Sequence, residues 1–434
     1  MSVTQIKGSK TPPYKIVNAG VRTTAIMVAS VLFAACGGGG GSSNGGDNGN
    51  PDKTVKINSF QSADIVIGQA NFVDLEENQN GTPEANTLNR PGGSALAYGM
   101  FFIVDTNNNR VLGFDSLPSV NNVNADFVLG QADFTSDAEG SGINDFKRPN
   151  GVAIGNEKMA ISDSFNYRVL LYNSVPGSGS AQPDVVVGEF GCAQDKMRAP
   201  GGVEITDNGK LIVTDPGNSR ILIWNSLPTQ DGQGADLVLG QSDFTHCDEN
   251  DDDQDGVADA TPTARTLQTP RGVWSDGDRL VVADRRNNRV LIWNSFPAVN
   301  FQPADIVLGQ GDFTHSERND DDQDGSADSE PSGRTFNLPG SIDSNGVQLA
   351  VSDQINHRVL IWNRFPTSSF EPADLVLGQG DFNHDWYNDD DQVGANDGAP
   401  TARTLKSPAG VQFTEGGLLV TDSANHRVLF YRAQ

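Results

Sequence analysis

Asp284-Arg285-Arg286-Asn287-Asn288-Arg289-Val290-Leu291-Ile292-Trp293-Asn294-Ser295-Phe296-Pro297 is the stretch on which the architecture turns. Its core, Asp-x-x-Asn-x-Arg-(Val/Ile)-Leu, occurs six times in the 434 residues. The aspartates are Asp105, Asp163, Asp215, Asp284, Asp353 and Asp422, and the arginines are Arg110, Arg168, Arg220, Arg289, Arg358 and Arg427. Upstream of each lies a proline, at Pro91, Pro149, Pro200, Pro270, Pro339 and Pro408, spaced by 58, 51, 70, 69 and 69 residues. A second element, (Ala/Pro)-Asp-x-Val-x-Gly, recurs at Asp64, Asp126, Asp184, Asp236, Asp305 and Asp374. Self-similarity at such a period marks a repeat architecture and takes precedence over local readings.

Each unit reads as four short strands. One follows the proline (Gly202-Val203-Glu204-Ile205) and one precedes the aspartate (Leu211-Ile212-Val213). A third follows the arginine (Ile221-Leu222-Ile223-Trp224), and the outermost is the Asp-x-Val-x-Gly segment (Asp236-Leu237-Val238-Leu239). Apolar, β-branched runs bounded by Gly, Pro, Asn and Asp are strand signals, and no long 3.6-residue period competes with them. Four-stranded units repeated around an axis give an all-β, six-bladed β-propeller. The first outer-strand element, Asp64-Ile65-Val66-Ile67, has no third strand before it, and the last third strand, Val428-Leu429-Phe430-Tyr431, has no outer strand after it. Pairing these two closes the ring and removes its open edges.

These six Pro-Gly and Asp-x-x-Asn-x-Arg-Val sets resemble the NHL repeat family over about residues 60–434. The resemblance implies a propeller and leaves activity open, because members include lyases, sensor domains and interaction platforms. Six-fold recurrence makes the Asp and Arg of each set structural: Asp capping the turn, Arg pairing with a carboxylate. Trp224, Trp293 and Trp362 read as blade packing.

Composition narrows the partners. Lys and Arg number 30 against 56 Asp and Glu, a formal charge of −26. Nucleic acid is not expected as a partner, since phosphate binding needs a basic stripe. Cations are favoured. Three junctions between an outer strand and the next inner strand are long and acidic, Asn250–Asp259, Asn319–Asp328 and Asn388–Asp397. The first places Asp251, Asp253, Asp255 and Asp259 around Gly256, and the second places Asp320, Asp322, Asp324 and Asp328 around Gly325. Alternating carboxylates followed by glycine let a loop curl its oxygens onto one calcium ion. They resemble the calcium loops of integrin-type propellers and, in their first six positions, those of EF-hands. The position-12 glutamate of an EF-hand is replaced by Pro262 and Pro331. The third loop keeps Asp389, Asp391 and Asp397 but has Val393 at the fifth position, and weaker binding is expected there.

The N-terminus reads as an address. Lys7, Lys10, Lys15 and Arg22 precede an apolar run from Thr23 to Ala35, too short to span a bilayer and typical of a secretory signal. Leu32-Phe33-Ala34-Ala35-Cys36 resembles a bacterial lipobox, with Phe33 where Leu is usual. That resemblance implies cleavage after residue 35, lipidation of Cys36 and, with Gly37 following, an outer-membrane location in the bacterial envelope. Residues 36–56 are then the lipidated cysteine and a Gly/Ser/Asn-rich tether, and 57–434 the propeller. Cys192 and Cys247 remain, as a disulfide permitted by an envelope location or as two free thiols. His246, His315 and His384 open the acidic loops, and His357 and His426 precede repeat arginines.

Two function classes emerge. One is a calcium-stabilised platform for an envelope protein or glycan, joined to the membrane through its lipid alone. The other is a propeller lyase or lactonase with a metal in the central channel. The inner-strand mouths, such as Gly92-Gly93, Asn150-Gly151 and Arg271-Gly272, carry no carboxylate or imidazole, and the nearby Glu204 and Asp343 read as isolated. The platform is therefore the preferred expectation, with no catalytic residue assigned.

Overall fold

The computed structural model describes residues 54–434. The signal segment, the lipidation site Cys36 and most of the expected tether lie outside the described residues. The described chain forms six four-stranded antiparallel sheets, with helix confined to short 3-10 turns. Blade 3 is representative: Val203–Ile205, Leu211–Asp215, Arg220–Trp224 and Leu237–Leu239, in that spatial order. In blades 4, 5 and 6 the inner strand begins at the proline itself, and Pro270, Pro339 and Pro408 face Asp284, Asp353 and Asp422 in register. Inner strands of consecutive blades touch around the whole ring, blade 6 meeting blade 1.

The sixth sheet takes its outer strand from the other end of the chain. Ile65, Val66 and Ile67 pair with Phe430, Leu429 and Val428. Packing starts slightly before the expected boundary. Val55 N donates to Gln348 Oε1 (2.6 Å), Gln348 Nε2 donates to Val55 O (3.0 Å), and Val55 is buried.

The core lies between blades. Along Arg220–Trp224 every residue is buried, because both faces of the sheet are covered. Leu222 and Trp224 pack towards Val169 and Leu171 of blade 2, whereas Ile221 and Ile223 pack towards Leu291 and Trp293 of blade 4. A sheet covered on both faces reads as a continuous apolar run rather than an alternating one. Trp224, Trp293 and Trp362 are blade packing, as their apolar context suggests. Each indole Nε1 donates to a backbone oxygen nine residues on, at Gln233, Gln302 and Glu371. The inner strands approach so closely that a Cβ at Gly202 would lie 2.5 Å from Arg271 O, which explains a glycine there.

The recurring Asp, Asn and Arg form one knot per blade, buried in all but blade 2, where Asn166 and Arg168 are partly exposed. In blade 4, Asp284 Oδ2 accepts from Arg289 Nε (2.8 Å) and Asn287 Nδ2 (2.7 Å), and Oδ1 accepts from Gln268 N (2.7 Å). Arg289 also donates to Phe313 O (2.6 Å), Thr263 O (2.9 Å) and Thr266 O (3.0 Å). The expected capping of its own turn by the aspartate does not occur. The carboxylate instead reaches back to the backbone that leads into the inner strand, and no side chain caps the turn. The same arrangement recurs at Asp105, Asp163, Asp215, Asp353 and Asp422. Burial pushes the Asp284 carboxyl above its usual range, and Arg289 opposes that push.

Candidate metal-binding loops and the axial cavity

The acidic junctions and the Asp-x-x-Asn turns emerge on one face because the second strand runs antiparallel to the inner one. Their contact is direct. Asn250 and Asn287 exchange amide hydrogen bonds (3.0 and 2.9 Å), as do Asn319 with Asn356 and Asn388 with Asn425. The asparagine that opens each acidic loop is thus keyed into the repeat turn of the following blade. Nothing in one copy of the repeat signals this pairing; only the recurrence of an asparagine at each loop start does.

Within the first loop the buried Asp251 accepts from Asp255 N (3.1 Å) through Oδ1 and from Gly256 N (3.0 Å) through Oδ2. Gly256 sits at φ +82°, which curls the chain back over the carboxylate. One oxygen each of Asp251, Asp253 and Asp255 falls within 4.8 Å of the others. Asp320, Asp322 and Asp328 do the same in the second loop, and Asp389, Asp391 and Asp397 in the third. Asp259 and Asp324 belong to these loops but not to the triads; Asp259 Oδ2 accepts from Asp252 N (3.0 Å) and Asp324 Oδ1 from Ser326 N (2.8 Å). The third loop converges despite Val393, because its ninth-position Asp397 supplies the third oxygen. Partial desolvation, together with the like charges of Asp397 and Asp389, raises the Asp391 carboxyl. Such clusters can hold a metal ion, and an all-oxygen donor set on a flexible loop is the chemistry that calcium takes.

The intervening aspartates point elsewhere. Asp252, Asp321 and Asp390 pair with Arg265 (2.9 Å), Arg334 (2.9 Å) and Arg403 (2.6 Å). Those arginines stack on Phe301, Phe370 and Phe60 at 4.8, 4.8 and 4.6 Å. This brace fixes each loop to its own blade junction and was not apparent in the sequence, where its members are spread over two repeats.

Cys192 and Cys247 are disulfide-bonded, with Cα atoms 6.4 Å apart, and they join two successive junctions on this face. His246, His315 and His384 bond Asp243 (2.9 Å), Asp312 (2.8 Å) and Asp381 (2.7 Å) three residues back. They do not converge on the axis. His357 and His426 instead bridge blades: His357 Nδ1 accepts from Ser407 N, and His426 Nδ1 from Arg90 N, both at 3.0 Å.

A cavity of about 180 Å³ lies on the axis, lined by the inner strands of all six blades. Glu204 and Asp343 both line it, so they are not isolated, as their separation in sequence suggests. Asp343 Oδ2 accepts from Phe413 N (2.6 Å). Burial raises the Asp343 carboxyl to about 7, and burial together with Asp343 and Asp207 raises Glu204 well above its usual range. Arg271 lines the same cavity.

No protein-family model and no curated protein matches the sequence. Among solved structures the chain is similar to the Kuenenia stuttgartiensis hydrazine synthase, with 13% identity over 82% of this chain and 99% of that one and a TM-score of 0.43.

Proposed function

We propose that this chain is a lipid-anchored envelope propeller of NHL-repeat type, whose acidic loops take calcium and whose loop-bearing face binds an envelope protein or glycan. The observation that carries the reading is the placement of three carboxylate triads on one face of a rigid ring. Without a cation these loops crowd like charges together; calcium neutralises and orders them. Loops held by a rigid scaffold are the usual site of recognition. Val55, near the start of the described residues, is held by Gln348 beside the Asn345–Gly346 turn, at the ends of the inner strands opposite the acidic loops.

Limited proteolysis of the full chain, with calcium and with chelator, tests the metal. Cleavage within 250–259 and 319–328 is expected to accelerate in chelator while the blades stay intact; equal cleavage in both conditions counts against calcium. Incorporation of a palmitate analogue, lost in Cys36→Ala, tests the anchor. Co-purification of a partner from native membranes only when calcium is present tests the platform.

A further inference from the structure

The axial cavity carries a guanidinium at one end and two carboxyl groups at the other, and no side chain within it pairs them. At the mouth on the acidic-loop face stands Arg271, the residue after the inner-strand proline of blade 4. The other five blades place Gly92, Asn150, Gly201, Gly340 and Ala409 there. Arg285 follows the repeat aspartate of the same blade, where the others have Thr106, Ser164, Pro216, Gln354 and Ser423. Blade 4 alone therefore carries arginine at both positions, and of the two Arg271 lines the cavity. Arg271 makes no side-chain hydrogen bond or ion pair among the described residues, and Arg285 bonds only Gln354 Oε1 (2.9 and 3.3 Å). Burial lowers both guanidiniums, Arg271 adds to the effect on Arg285, and no carboxylate opposes it. In a chain with a formal charge of −26, an axial guanidinium with no acidic partner stands out.

The opposite end is the mirror of this. Glu204 of blade 3 and Asp343 of blade 5, which flank blade 4, occupy equivalent inner-strand positions three residues further along. Glu204 has no hydrogen-bond partner among the described residues, and Asp343 accepts from backbone N–H groups only. No lysine or arginine pairs with either among the described residues. Ionisable groups shielded from water and left without a partner are costly, so Arg271 at one end and Glu204 with Asp343 at the other, all lining one cavity, are groups left for a ligand.

We propose that the axial cavity binds one small extended zwitterion, its carboxylate at Arg271 and its ammonium at Glu204 and Asp343. Volume and spacing set the class. A cavity of about 150 Å³ holds benzene, so one of this size takes roughly six to nine non-hydrogen atoms. Three residues of strand separate the two ends, about 10 Å before the side chains reach inward. An ω-amino acid with three to five methylenes between its charges fits both limits, whereas an α-amino acid, with adjacent charges, does not span the ends.

Calorimetric titration of the full chain with 4-aminobutanoate, 5-aminopentanoate and 6-aminohexanoate, beside glycine, pentanoate and pentylammonium, tests the site. One ω-amino acid is expected to bind at one per chain, at least tenfold tighter than glycine or either singly charged probe. Arg271→Met and Glu204→Gln should each remove that advantage. Because each also removes an ionisable group that is shielded from water and has no partner, each variant should melt at a higher temperature than the parent. Pentylammonium binding as tightly as the zwitterion, no binding by any member of the series, or lower melting temperatures in both variants would overturn the proposal.

Discussion

At the scale of single residues, the six blades make a controlled comparison. The position before each repeat arginine bridges to the next blade in four copies. Asn109 and Asn288 do so through amide oxygens, accepting from Arg148 N and Leu338 N at 2.8 Å, and His357 and His426 do so through neutral imidazoles. Burial, with Lys406 nearby, lowers His357 to about 4; burial, with Arg90, lowers His426 to about 4, against the opposing pull of Glu77. The unfolded imidazole titrates near 6.5, so between about 6.5 and 4 the unfolded chain binds more protons. Each histidine's stabilisation is therefore complete above pH 6.5 and lost as pH falls towards 4, by up to about 3 kcal/mol. Asp343, raised to about 7, acts with the opposite sign, so the readout is the difference between variant and parent. The double variant His357→Asn/His426→Asn should keep the bridges, as blades 1 and 4 do, and lose less stability than the parent between pH 6.5 and 4. Denaturant titrations across that range decide it; parallel slopes would show that the imidazoles titrate in the fold as they do in the unfolded chain.

At the scale of the element, the repeat turn and its loop are one unit. Arg289 and Asp284 are both fully buried, and the guanidinium holds backbone from two neighbouring segments. Truncating one partner of a buried pair leaves the other charge stranded, at about 3–5 kcal/mol. Arg289→Met should cost that much in denaturant titration, against under 1 kcal/mol on the order of a surface change for Arg318→Met. In the loops, Val393→Asp restores the fifth-position oxygen of the third loop and should bring its calcium affinity closer to that of the first two; an unchanged titration would show that Asp397 already completes the set. The strands and turns were readable because their residues recur with the same role. The closing strand was readable from unmatched ends. The axial residues were not, since Arg271, Glu204 and Asp343 each break the repeat once and meet only after the ring closes. The Arg265–Phe301 brace was hidden likewise, its partners lying in separate repeats.

At the scale of the whole molecule, the ring is held by two covalent or sheet-like closures. The disulfide between Cys192 and Cys247, 55 residues apart, ties two junctions of the acidic face. Crosslinking over such a loop is worth roughly 2–4 kcal/mol, so Cys192→Ser/Cys247→Ser should lower stability by about that amount without opening the ring. The seam at blade 6 is different in kind. Ile65, Val66 and Ile67 are buried to within 2% and cover the third strand Arg427–Arg432. Losing three such side chains forfeits about 5–8 kcal/mol of burial, which is comparable to the whole stability of an ordinary domain. It also bares a strand edge whose Val428, Leu429 and Phe430 are apolar. Such an edge pairs with any strand on offer, including that of a second open ring. Replacing residues 65–67 by Gly-Ser-Gly should therefore increase self-association relative to the parent chain, read by light scattering alongside size-exclusion chromatography. A variant of the parental size that unfolds at the parental denaturant concentration would mean that blade 6 holds as a three-stranded sheet, and that the contacts between its inner strand and those of blades 5 and 1 suffice to close the ring.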